Sequence, residues 1–326
     1  MKKDFRIGLA LGGGGASALS YIGVLEELAA AGLRFHCVAG TSAGAVVGAA
    51  MASGQLEQFR DVMTSLTRGR VFTLFDPTWG RGGLIDGRRA MSMLLPMMSG
   101  NLEDLPIRMA AVTTDLNTGE EVDLETGSIV EAVRASIAVP GVFRPRTIDG
   151  RVLVDGGLVN PIPVSVARRL GADFVIAVSI LRLRGVMDGS AESTLKAKEL
   201  GPSQAEKPPQ EKPSQANPRR ERSGAARQNA LGMLDVMAKG SAVVQSHIAA
   251  ARLRDCPPDA FLSPRSEHIG IFDLIRSGEA VECGREVARR ALPELLLAIE
   301  KAKRRRDNPL QRLVSSASAL ARPRTI

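Results

Sequence analysis

Three short stretches carry the side chains best suited to chemistry. Gly40-Thr41-Ser42-Ala43-Gly44 has the form G-x-S-x-G. A serine at the centre of such a pentapeptide, on a sharp turn from strand to helix, stands clear of the backbone with its hydroxyl bare. Glycines flank it because the turn is tight and a side chain would clash. The helix that follows places backbone N–H groups, and the positive end of its dipole, near that hydroxyl. Gly12-Gly13-Gly14-Gly15 suits either a phosphate cradle or an oxyanion hole of backbone N–H groups. A dinucleotide site also expects an acidic residue about 20 positions on, closing the second strand. Arg34, Phe35 and His36 stand there instead, and the second strand runs into the serine turn, which favours the oxyanion hole. Asp155-Gly156-Gly157 has the composition of a plain turn, yet the carboxyl end of a strand is where α/β sheets build their sites.

The surrounding sequence supplies elements able to hold these groups. Phe5 to Leu11 reads as a short buried strand, Ser17 to Ala31 as a helix stopped by Gly32, and Phe35 to Ala39 as a second strand. Ala45 to Ser53 continues from the serine turn as a helix of small residues. Further strands are expected at Ile107 to Thr113, Arg151 to Val154 and Asp173 to Ser179. Further helices are expected at Ser128 to Ser136, Pro163 to Leu170, Leu231 to Leu253 and Val281 to Lys303. Strand, turn and helix in repetition predict an α/β fold, a three-layer α/β/α sandwich around a mainly parallel sheet.

Composition bounds the alternatives. Of the 326 residues, 44% are hydrophobic and only 3% aromatic, so the core rests on aliphatic residues and there is little material for stacking single-stranded nucleic acid. No nucleic-acid partner is expected. The net charge of +8 is concentrated in Arg219 to Arg227 and Lys301 to Arg306 and does not describe a basic active-site groove. The second cluster offers a peripheral contact with an anionic membrane. Cys37, Cys256 and Cys283 form no C-x-x-C, and the three histidines lack metal-ligand spacing, so neither a disulfide framework, nor a metal site, nor a cofactor is expected. The apolar run after Lys2 and Lys3 breaks into four glycines, unlike a signal peptide, and no stretch has the ~18 uninterrupted apolar residues of a membrane span. A cytoplasmic location, peripheral at the membrane, is expected. From about Lys196 to Arg227 the chain is rich in Pro, Gln, Lys and Glu and cannot bury enough apolar surface to order itself. The expected division is a catalytic core at 1–185, a disordered insertion at 186–228, a helical part of the same domain at 229–303, and a basic flexible tail at 304–326.

The three motifs in this order, GGGGAS, GTSAG and DGG, resemble the patatin-like phospholipase family. YIGVLEEL, VTTDLNTGEE, ASIAVPGVFRP and VDGGLVNPIPV are similar to stretches of its bacterial members. The likeness runs from Phe5 to Ile180 and resumes weakly between Leu231 and Lys303. It implies a Ser-Asp dyad, with Ser42 as nucleophile, Asp155 as base, and N–H groups of Gly13, Gly14 and Gly15 as the oxyanion hole. Gly40, Gly44, Gly156 and Gly157 are the motif glycines. It further implies hydrolysis of phospholipid or lysophospholipid acyl esters through an acyl-enzyme. The sequence departs from the family at Ser17 and Ala18, where the glycine loop normally has a basic residue and a further glycine, and Tyr21 stands where relatives often have His. Two other readings remain open. A nucleotide-binding protein would bind nucleotide without reacting with a fluorophosphonate, and a non-catalytic lipid-binding module would keep the pocket without serine labelling.

Overall fold

In the computed structural model, residues 4–74, 76, 83–181, 183 and 233–307 are described. The first half alternates β1 (Ile7–Leu11), α1 (Ser20–Ala30), β2 (Phe35–Thr41), α2 (Ala43–Ala52), α3 (Leu56–Thr64), α4 (Arg68–Leu74), β3 (Gly83–Ile85) and α5 (Arg88–Leu94). Then follow β4 (Arg108–Asp115), β5 (Glu121–Leu124), α6 (Ile129–Ser136), β6 (Gly141–Phe143), β7 (Arg146–Ile148), β8 (Arg151–Asp155), α7 (Val164–Arg169) and β9 (Phe174–Val178). The C-terminal part supplies α8 (Met233–Asp255), β10 (Ala260–Leu262) and α9 (Ser277–Asp307). The insertion expected at 186–228 and the tail beyond residue 307 lie outside the described residues.

β10, β9, β1, β2 and β4 pair in parallel, and β5, β8 and β7 join antiparallel, giving a mixed, mainly parallel eight-stranded sheet. β3 and β6 pair separately. The period-two alternation of strands assigns the two faces different sizes of side chain. Leu9, Leu11, Val38, Met109, Phe174, Ile176 and Val178 point to one face and meet α1, α2, α3, α6 and α9. Ala10, Ala39, Ala110, Val175 and Ala177 point to the other, and these mostly small residues let α7 and the C-terminal half of α8 lie close to the sheet. The result is the three-layer α/β/α arrangement.

The carboxyl ends of β1, β2 and β9 meet at one edge. There the Gly12 N–H donates to Val178 O, and β2 runs straight into α2 through Ser42 alone. α9 crosses α1 so closely that a methyl group on Gly284 would fall 1.8 Å from Ser20 O, and one on Gly23 would fall 2.0 Å from Val281 O. The basic end of α9 lies at the opposite edge of the sheet. Arg306 pairs with Asp173 at 2.8 Å, donates to Asp4 O and covers the Phe5 ring. That is about 23 Å along the strands from the serine turn, taking seven residues of β2 at ~3.3 Å each. A membrane held by this cluster would face the edge away from Ser42. No helix among the described residues is long and apolar enough to cross a membrane.

Candidate active site

Strand register brings Ser42 and Asp155 together. On β4, Thr41 is aligned with Val112 and Asp155 with the next residue, Thr113. β5 occupies the other side of both positions, with Asp123 opposite Val112 and Val122 opposite Thr113. Thr41 and Asp155 therefore approach β4 from the same side, one residue apart, and Ser42 follows Thr41 directly. The parallel β2 and the antiparallel β8 meet end to end along one edge of the same strand.

The turn at Ser42 is strained. Its φ of 56° and ψ of −125° lie where a side chain rarely goes, at a cost of order 1–3 kcal/mol. Its surroundings fix it there: the Ser42 N–H donates to Ser136 Oγ at 2.9 Å, and Ser136 Oγ donates to Val112 O at 2.7 Å. The flanking glycines are required by close approach. A methyl group on Gly40 would meet Ala45 Cα at 2.5 Å, and one on Gly44 would meet Leu11 O at 2.2 Å. The clash expected from the motif thus comes from the start of α2 on one side and the end of β1 on the other.

Asp155 is buried. Its Oδ1 accepts from Gly157 N at 2.7 Å, Thr114 Oγ1 donates to its carbonyl, and its own N–H donates to Ala138 O. Burial pushes its carboxyl up to about 6, while the Ser42 hydroxyl and the Gly157 N–H pull the other way. The Ser42 hydroxyl does not complete a hydrogen bond of ordinary geometry, and Oδ2 stays buried without a partner among the described residues. A carboxylate with a free lone pair and raised basicity, next to a bare hydroxyl, is equipped to take a proton.

The glycine loop lies against this pair, since a methyl group on Gly13 would sit 3.4 Å from Ser42 Cβ. The Gly13 N–H itself is engaged by Pro161 O at 3.3 Å. No acceptor among the described residues meets the N–H groups of Gly14 and Gly15, which leaves these two as free donors. Gly14 has φ of 148°, a conformation that favours glycine. The Asn160-Pro161 segment ties the parts together: Asn160 N donates to Gly156 O, and Asn160 O accepts from Thr41 Oγ1 at 2.8 Å.

Further residues hold the glycine loop in place. Tyr21 is fully buried, donates to Gly13 O at 3.1 Å and accepts from Ile180 N at 3.3 Å, and burial holds its phenol protonated well above the usual range. It joins the glycine loop to the end of β9. Ser17 fills the position where the family has a basic residue; it is buried and donates to Ile269 O at 2.6 Å. Ala16 N donates to Ile271 O at 2.8 Å. The loop is therefore propped by residues 269–271, and a long cation at position 17 would have no room. None of the three histidines joins the site. His36 Nδ1 accepts from Ile7 N at the far end of β2, exposed His268 pairs with Glu279, and His247 is exposed on α8.

The patatin-like phospholipase pattern matches residues 9–168. Over that segment the chain belongs to the patatin-like phospholipase family. An uncharacterized NTE family protein of Mycobacterium tuberculosis is 39% identical over 176 residues, covering 54% of this chain and 49% of the relative. Patatin-like phospholipase domain-containing protein 7 of Mus musculus is 33% identical over 185 residues, covering 53% of this chain and 13% of the relative. The chain thus spans about half the length of the mycobacterial relative and a small part of the mouse one. The crystal structure of VipD from Legionella pneumophila aligns over 53% of this chain and 49% of its own, with a TM-score of 0.33 and 16% identity. The patatin-like segment ends within α7, so α8, β10 and α9 lie beyond it.

Proposed function

We propose that this chain is a serine acyl-ester hydrolase of lipid substrates, phospholipid or lysophospholipid, working through a Ser42–Asp155 dyad. The observation that carries the reading is the register on β4, which seats a strained, bare serine beside a buried carboxylate with an unpartnered oxygen. Asp155 Oδ2 takes the hydroxyl proton as Ser42 Oγ bonds to the ester carbonyl carbon, and the negative charge gathers on the carbonyl oxygen. The Gly14 and Gly15 N–H groups are the donors for that oxygen, with Gly13 setting the loop against Ser42. Collapse breaks the bond to the leaving alcohol, which receives the proton back from Asp155. Water, deprotonated by Asp155 in turn, then releases the fatty acid and restores Ser42. The lipid nature of the substrate is supported by membership of a phospholipase family.

The test is mass-spectrometric location of a fluorophosphonate adduct, together with p-nitrophenyl ester hydrolysis. The adduct is expected on Ser42, and Ser42→Ala should remove both labelling and turnover while keeping the circular dichroism of the parent. An adduct on another residue, or undiminished hydrolysis by the folded variant, refutes the proposal.

A further inference from the structure

One side chain from beyond the patatin-like segment reaches the dyad. Gln245, on α8, lies with its carboxamide between Gly13, which sits against Ser42, and Gly157, which donates to Asp155. A methyl group on Gly157 would fall 2.9 Å from Gln245 Cδ, 2.9 Å from its Nε2, and 2.9 Å from Asp155 Oδ1. A methyl group on Gly13 would fall 3.8 Å from Gln245 Oε1 and 3.4 Å from Ser42 Cβ. Gly157 is glycine at a point where any side chain would collide with the glutamine and the carboxylate together. The carboxamide is held in place, because Nε2 donates to Ser241 Oγ at 3.0 Å one turn earlier on the helix. The helix is anchored in turn by Ala249, Ala250 and Leu253, buried under the sheet.

A glutamine carries no charge and does not titrate, so it is neither base nor nucleophile. What it does at this position is fill space and offer hydrogen bonds. From this geometry we infer that Gln245 is a specificity-determining residue: its carboxamide fills the space between Gly13 and Gly157 beside Ser42, and so limits the length of acyl chain accepted there. The inference rests on the acyl-ester reading above. Removing the carboxamide opens the path between Gly13 and Gly157. Replacing it with a side chain of similar length leaves the path closed.

The experiment compares Gln245→Ala and Gln245→Met with the parent, reading the ratio of kcat/KM for p-nitrophenyl dodecanoate to that for the butyrate. The alanine variant should raise this ratio at least fivefold, through a lower KM for the long ester, while the methionine variant stays within twofold of the parent. Gln245→Ser opens the same space and replaces the alanine variant if that one melts early. A ratio unchanged on opening the space overturns the inference. So does an equal fall in kcat on both esters in the alanine and methionine variants, which would mean that polarity matters and size does not. A second measurement needs no turnover: calorimetric binding of dodecanoate to Ser42→Ala, with and without Gln245→Ala. Tightening of at least fivefold supports the inference, even if the parent proves inert toward esters and the hydrolase reading falls. Unchanged affinity overturns it even if the parent is an active hydrolase.

Discussion

Asp155 gives a prediction in which activity and stability move in opposite directions. An exposed aspartate titrates near 3.9, whereas burial carries Asp155 to about 6. Between these values the folded state holds more protons than the unfolded one, so wild-type stability attributable to this group falls as pH rises. Above pH 6 the full difference is present: about two pKa units at 1.36 kcal/mol each, or about 3 kcal/mol of destabilisation from the buried charge. Asp155→Asn removes the charge and keeps an oxygen for the Gly157 N–H. The variant should therefore be more stable than the parent by up to about 3 kcal/mol at pH 8, and the advantage should shrink toward zero near pH 4. Its ester hydrolysis should fall by several orders of magnitude. The assay is urea unfolding of both proteins at pH 4.5, 6 and 8, since other titrating groups cancel in the difference. In the parent, kcat/KM should fall tenfold per pH unit below about 6 as the base is protonated. A variant less stable than the parent at pH 8, or a stability difference independent of pH, would refute the argument that a buried charge is held here for function.

Three further expectations follow from particular contacts. Gly284→Ala should lose about 2 kcal/mol in denaturant unfolding through overlap with Ser20 O, although alanine is intrinsically the better helix former by ~1 kcal/mol; a net gain would show that α1 and α9 do not cross as described. Tyr21→Phe leaves Gly13 O and Ile180 N without their partner, so it should cost about 2 kcal/mol and lower kcat more than it raises KM; unchanged kcat would mean that the loop holds its shape unaided. His247→Ala and His268→Ala, singly and together, should keep hydrolysis within threefold, and a folded His variant as inactive as Asp155→Asn would replace the dyad with a triad.

Much of the frame was legible because it is written locally. The buried strands and the glycine that stops α1 carry their own signals, and the expected strands and helices fall within a few residues of β1, α1, β2, α2, β4, α6, β8, α7, β9, α8 and α9. The strand β2 runs two residues further than expected and α2 starts two residues earlier, because Ser42 alone forms the turn. β3, β5, β6, β7 and β10 are three or four residues long, too short for alternation to show, and their pairing is decided by distant strands. Tyr21 was visible only as an oddity, since its partners lie 8 and 159 residues away. Gly23 and Gly284 did leave a signal: a glycine inside a helical pattern costs helix stability and points to a packing reason.

The division of labour between the two parts of the chain explains why motifs capture the chemistry but not its setting. Ser42, Asp155 and the glycine loop, to which the proposal assigns the chemistry, all fall inside residues 9–168, where local turns and the register on β4 assemble them. The shape of the loop is set elsewhere. Ile269 and Ile271 accept from Ser17 and Ala16, and Ser266 Oγ donates to Ser17 O. α9 holds α1 through a backbone crossing without side chains between. An oxyanion donor misplaced by 1 Å loses most of its effect, because its value depends on being fixed before charge develops. A further C-terminal element, α8, brings Gln245 beside Ser42 and Asp155. Ser17 thus ties the glycine loop, through a buried hydrogen bond, to Ile269, a residue that the family pattern does not include.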